Sequence, residues 1–168
     1  MPLNIPLNGG GTPITKATVA QTGVQMQMPF WIGANDRELW LLPIEPLVAV
    51  RGRNVITRRT IAKKKNKAKE GFGSIKELWA IDDYEVVITG MLNDHTRPGE
   101  LPSEMITKLD GLATLGKPLV VRCALLNALG VGMIAVDGWE FEPTPGINDQ
   151  FYTLRGFSDQ NFNLLIEK

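Results

Sequence analysis

"DYEVVITGML", residues 83–92, alternates along its length. Tyr84, Val86 and Ile88 fall on one side and Glu85, Val87 and Thr89 on the other. Successive side chains of a strand point to opposite faces, so the stretch reads as a β-strand with one wholly apolar face and one mixed face. The neighbouring sequence agrees. "SIKELWAI" (74–81) precedes it, and "NVITRRTIA" (54–62), rich in β-branched residues, comes earlier. In "ELWLLPIEPLVAVRG" (38–52), Pro43 and Pro46 exclude a helix interior. Leu39–Leu42 and Leu47–Arg51 therefore read as short strands at a sheet edge.

Downstream, "NDHTRPGELP" (93–102) is a long turn whose closing Pro102 suits the first turn of a helix. From Ser103 to Leu115, Met105, Ile106, Leu109, Leu112, Ala113 and Leu115 recur at spacings of three and four, and Gly116 supplies a left-handed stop. "PLVVRC" (118–123) reads as a strand and "ALLNALG" (124–130) as a short helix or turn capped by Gly130. "VGMIAVDGWEFEP" (131–143) reads as a strand broken by Gly138, and "QFYTLRGF" (150–157) and "NFNLLIEK" (161–168) as closing strands. The fold class is α+β, a mostly antiparallel β-sandwich or barrel with one flanking helix at about 103–115.

A chain of 168 residues suits one domain, which buries roughly 70% of the surface its unfolded form exposes. Residues 36–168 read as that single β-rich domain, carrying a long basic β-hairpin at about 53–80. Residues 1–35 are rich in Gly, Pro, Asn, Thr and Gln and read as an extended N-terminal arm. The arm is expected to be dispensable for folding and needed for assembly. "MPLNIPLNGGGTP" lacks the basic start and apolar core of a signal peptide, and no apolar run approaches the ~20 residues of a membrane-spanning helix. With a single cysteine, nothing calls for an oxidising compartment, and the expectation is a soluble protein made inside the cell, without membrane contact.

The net charge of zero conceals a separation. Between Arg51 and Lys76 there are ten basic residues and one acid, Glu70, so this segment carries +9 and the remainder −9. The candidate contact residues are Arg58, Arg59, Lys63, Lys64, Lys65, Lys67, Lys69 and Lys76, with Gly71 and Gly73 letting the chain turn back. Such a protrusion can bind an external polyanion or the acidic body of another copy. Nucleic acid would use the lysines for phosphate contacts, yet only Phe72 and Trp79 lie nearby as stacking rings and no reading helix accompanies them. Docking on a partner subunit is the preferred reading.

The chemical suspects are few. Asp82, Asp83, Asp94 and His95 read as turn residues rather than as an acid–base pair or metal site. Cys123 reads as a buried small hydrophobe. "GFGS" and "LGVG" lack the spacing of phosphate loops. Trp31, Trp40, Trp79 and Trp139 suit either core packing or an interface. No catalytic residue, metal or cofactor is expected.

"RNVITRRTIAK", "GFGSIKELWAIDDYEVVITGML", "LPSEMITKLDGLATLGKPLVV", "LLNALGVGMIAV" and "FSDQNF" together resemble a family of Bacteroidetes phage and prophage proteins of contractile tails. The resemblance covers about residues 47–168 and leaves out the arm; none of its motifs is a catalytic signature. It implies a tail or baseplate protein related to those joining tail tube to hub. It further implies a β-rich fold shared with tube subunits, a homo-oligomeric ring of six copies by analogy with tail tubes, and no enzymatic activity. Neighbouring tube, hub or baseplate proteins, transient DNA passage and a place in the virion after synthesis in the host cytoplasm follow from the same likeness. The lysine insertion departs from the family's usual tip. The alternative is a nucleic-acid-binding accessory protein using the basic hairpin.

Overall fold

A computed structural model of the chain describes residues 17–19, 23–59, 75–97, 99–144 and 148–159. The alternating stretch is strand β6, Glu85–Leu92, and its apolar side faces inward, with Val86, Ile88 and Leu92 almost completely buried. It pairs on one side with β3 (Leu47–Arg51), Val48 opposite Ile88 and Val50 opposite Val86. On the other side lies β9 (Gln150–Asp159), Leu154 opposite Ile88 and Tyr152 opposite Gly90.

The remaining strands are β1 (Trp31–Gly33), β2 (Trp40–Leu41), β7 (Leu119–Arg122) and β8 (Met133–Phe141). With the others they make one seven-stranded sheet in the order β2-β1-β7-β8-β9-β6-β3, every pair antiparallel. The sheet is open, with β2 and β3 at its edges, so of the two expected shapes it is not a closed barrel. The α+β class stands. A second sheet has two strands, β4 (Asn54–Arg59) and β5 (Ile75–Ile81).

Two helices accompany the sheet. Helix α1, Ser103–Ala113, buries Leu109 and Ala113 in the core and packs Met105, Ile106 and Leu112 against it. Trp139 Nε1 on β8 donates to Asp110 Oδ1 at 2.9 Å, which fastens the helix across the strand. The helix ends at Ala113, two residues before the expected stop: the Thr114 hydroxyl donates to the Asp110 carbonyl at 2.8 Å, and the Leu115 N–H to Leu112 O at 3.2 Å. Helix α2, Ala124–Ala128, buries Leu126. Gly116 and Gly130 follow the two helices with φ of 69° and 75°, as the helix-stop reading requires.

Two expectations need correction. Gly138 does not break its strand: β8 runs through it, with a register shift between Val136 and Gly138. One extra residue there keeps Val136 and Trp139 on the face of their partners Gly156 and Leu154. The N-terminal arm also ends earlier than residue 35. Residues 1–16 and 20–22 lie outside the described residues, but Phe30 and Ile32 are fully buried and Met26 nearly so. Strand β1 inserts between β2 and β7, with Ile32 opposite both Trp40 and Val121, and the Leu42 N–H donates to Phe30 O at 3.0 Å. Residues 30–33 belong to the body, so deletion through Gly33 removes a core strand. "NFNLLIEK" lies outside the described residues.

At Gly90 the inward alternation of β6 meets the ring of Tyr152. A Cβ on Gly90 would lie 2.5 Å from Tyr152 Oη, so glycine leaves the space that the ring fills. Tyr152 is 1% exposed, its Oη has no hydrogen-bond partner among the described residues, and burial pushes its ionisation upward. Gly90→Ala should destabilise by about 1–3 kcal/mol through overpacking, whereas Tyr152→Phe should be neutral or stabilising, because it removes an unpaired buried hydroxyl. Leu109→Ala should cost about 2–5 kcal/mol. Urea unfolding of the three variants beside the parent checks all three; a parent-like Leu109→Ala midpoint would refute the facing of α1.

Candidate assembly surface

The β4–β5 ribbon is built from a sequence of high β-propensity whose strands pair only with each other. Asn54 lies opposite Ile81 and Val55 opposite Ala80, and the register shifts between Ile56 and Thr57 before Arg58 meets Lys76 and Arg59 meets Ile75. The base of the ribbon is tied down. Arg53 bonds Asp82 through Nε at 3.0 Å and again through Nη2, and the Asp82 N–H donates to Arg53 O at 2.9 Å. The Arg53 bond holds the Asp82 carboxyl below the ordinary range.

The ribbon exposes apolar groups near that base and basic groups farther out. Ile81 is 82% and Val55 44% exposed, and Arg58, Arg59 and Lys76 are exposed. Arg58 and Lys76 sit directly opposite one another, like charges on paired positions, an unfavourable arrangement. Among the described residues neither enters an ion pair. Arg51 and Arg53, counted in the basic segment, are matched locally by Glu85 (3.9 Å) and Asp82. The excess positive charge therefore begins beyond the base. Lys63, Lys64, Lys65, Lys67, Lys69, Gly71 and Gly73 lie outside the described residues.

The sheet supplies a second surface. Its outer face carries Leu47, Ala49, Val87 and Thr89 on β3 and β6, with Phe151, Arg155 and Phe157 on β9. Leu47 is 78% and Phe157 45% exposed. A groove of about 640 Å³ runs over Leu47, Ala49, Val87 and Thr89 and is bounded by Met28 and Glu45. The Glu45 carboxylate accepts the N–H groups of Gln27 (3.0 Å) and Met28 (2.9 Å), fixing that segment beside the start of β3. On β8, Asp137 and Glu140 are exposed acids of the body, and Glu142, just past the strand's end at Phe141, is exposed as well. Sequence reading did not single them out; the pairing of β8 with β7 and β9 places Asp137 and Glu140 in the middle of the sheet.

The chemical suspects have structural occupations. Asp94 Oδ1 accepts the Thr96 N–H at 2.9 Å and its hydroxyl at 2.6 Å, a turn closed by a carboxylate whose pKa these bonds lower. Cys123 is fully buried just before α2, and burial pushes its thiol pKa up. His95 is exposed in the 94–97 turn. No cluster of three His, Cys, Asp or Glu residues able to hold a metal occurs among the described residues. Trp31 and Trp40 are half-buried in the sheet, and Trp139 is 40% exposed while bonded to α1.

This architecture is similar to that in the crystal structure of the SPP1 Dit protein (gp 19.1), described there as a paradigm of the hub adsorption apparatus in phages infecting Gram-positive bacteria. The superposition has a TM-score of 0.50 at 13% identity and covers 78% of this chain and 49% of Dit, so the chain spans about half the length of that protein. No curated protein sequence matches the chain. Residues 41–168 match the family model for a domain of unknown function, DUF6046, and the chain belongs to that family.

Proposed function

We propose that the protein is a structural component of a phage tail or contractile injection apparatus, in the tube-to-baseplate region, assembling as a homo-oligomeric ring. The observation that carries this reading is the β4–β5 ribbon. A two-stranded ribbon is marginal in water without a third strand or a packed helix, and this one exposes Ile81 and Val55 near its base and, farther along, Arg58 and Lys76, which enter no ion pair among the described residues. A surface on a neighbouring copy would cover it. The similarity of fold to the SPP1 hub protein supports the same direction as an analogy of architecture. The resemblance of residues 47–168 to contractile-tail proteins adds the expectation of six copies, of tube, hub or baseplate neighbours and of transient DNA passage. The role requires no catalytic step and belongs to the assembled virion, after synthesis in the host cytoplasm.

Charge sets how the ribbon docks. Its basic residues face the exposed acids Asp137 and Glu140 on β8 of the next copy, with Glu142 just beyond that strand. At physiological salt the Debye length is ~8 Å, so attraction acts only near contact, and each exposed pair contributes ~0–1 kcal/mol. The remainder comes from burying the apolar positions of the ribbon, and the charges select register and partner.

Arg58→Glu combined with Lys76→Glu should weaken assembly and leave the monomer folded, read by light scattering and circular dichroism. Asp137→Lys with Glu140→Lys should do the same, and mixing the two reversed variants should restore association. A parent that stays monomeric while shifting a DNA fragment, with steep salt dependence lost on reversing Arg58 and Lys76, would instead make the ribbon a nucleic-acid site.

A further inference from the structure

The ribbon and the outer face of the sheet carry matching patterns, and one extra residue in a strand produces each of them. On β5, Trp79 lies opposite Ile56 and Glu77 opposite Thr57, so Leu78 is the extra residue at the register shift. Opposed residues of an antiparallel pair share a face. Asn54 and Arg58 share one by alternation, and their partners Ile81 and Lys76 join them there. Without Leu78 between them in the count, Lys76 would fall on the other face, with Ala80. The shift therefore gives one face of the ribbon an apolar end at Ile81, which is 82% exposed, and a doubly basic end at Arg58 and Lys76. The two ends are four residues apart along β4, ~13 Å at the rise of a strand.

On β8 the extra residue is Asp137, since Val136 lies opposite Gly156 and Gly138 opposite Arg155. Val136 packs against the core, and an unshifted strand would send Glu140 inward with it. The extra residue turns Glu140 outward instead, where it is exposed. There it closes a straight row across four strands: Leu47 of β3 opposite Thr89 of β6, Thr89 opposite Thr153 of β9, and Thr153 opposite Glu140. The Thr89 and Thr153 hydroxyls lie 3.4 Å apart in the middle, and the Thr153 hydroxyl donates to Glu142 Oε1 at 3.2 Å. At the spacing of paired strands the row is ~14 Å long. Leu47, 78% exposed, borders the groove at one end of it. Glu140, with Asp137 before it and Glu142 after it, makes the other end acidic.

Apolar and charged ends thus stand at the same separation on two surfaces of one chain, with opposite charge. We infer that the ribbon of one copy lies across the strands of the next, with Ile81 over the Leu47 groove and Arg58 and Lys76 over Glu140. This rests on the ring assembly proposed above and adds the direction and register of the ribbon on its neighbour. A ribbon laid the other way would put both cations over Leu47 and Ile81 over Glu140, leaving charges without partners. The contact is tight at the groove, where apolar area leaves water, and wet beside the threonines and acids, where exposed pairs keep their hydration. It joins two different surfaces, so it repeats head to tail, the arrangement from which rings close.

Disulfide formation between full-length chains tests this, with Cys123 left in place because it is fully buried. A disulfide needs Cα atoms within ~7 Å, which separates sites that lie ~14 Å apart along the row. Ile81→Cys mixed with Leu47→Cys, one of the two chains lengthened by a tag so that the mixed dimer is resolved by size, should cross-link on mild oxidation. Ile81→Cys mixed with Glu140→Cys, and Lys76→Cys mixed with Leu47→Cys, should give about tenfold less mixed dimer. Light scattering on the parent separates the register from the assembly itself. A monomeric parent would overturn both. An oligomeric parent in which the matched mixture fails to cross-link, or in which either mismatched mixture cross-links as well as it does, would overturn the register and leave the ring.

Discussion

Eight consecutive residues of β6, from Glu85 opposite Phe157 to Leu92 opposite Gln150, pair with β9, and the orientation of the whole sheet follows from that register. A slip of one residue would turn Val86, Ile88 and Leu92 outward and bring Glu85 and Thr89 into the core. The fit of Tyr152 against Gly90 opposes such a slip sterically, since only glycine leaves room for the ring. From this pair the sheet extends through β3 on one side and through β8, β7, β1 and β2 on the other. Helix α1 then covers the face that the register has made apolar.

Local pattern made much of this readable. Strand β3 has the bounds that prolines and alternation suggest, and β6 and α1 carry periodicities that fit one structure each. Strand β1 was hidden because Phe30–Ile32 is too short a run, bracketed by Pro29 and Gly33, to show a period. Its place in the sheet depends on pairing with β7, Ile32 opposite Val121, which is distant in sequence, so local pattern alone does not supply it. The bulge at Asp137 was hidden for a related reason: a glycine in a strand signals an irregularity without saying whether the strand stops or shifts. Of the candidate contact residues, Arg58, Arg59 and Lys76 lie on the paired strands of the ribbon, and the others lie outside the described residues. The charge count alone missed that Arg51 and Arg53 are matched at the ribbon's base.

The ribbon and the sheet offer different kinds of surface. The ribbon is narrow, pairs only with itself among the described residues and combines like charges with apolar side chains, so burial and neutralisation both favour covering it. The outer sheet face is broad and mixed, with Arg155 between Phe151 and Phe157. Such a face tolerates water. It suits a wall better than a tight joint.

The place of β1 also bears on the order in which the molecule can form. Asp36, just after β1, is bound to Arg122 of β7, 86 residues away in sequence, through the same pairing that seats Trp31 opposite Arg122. During synthesis from the N-terminal end, Phe30 and Ile32 have only the two-residue strand β2 beside them until β7 has left the ribosome. Helix α1 cannot hold them meanwhile, because its own apolar face needs the sheet. Contacts this distant in sequence slow folding. The nascent chain is therefore exposed to aggregation through its earliest apolar segment for most of its translation.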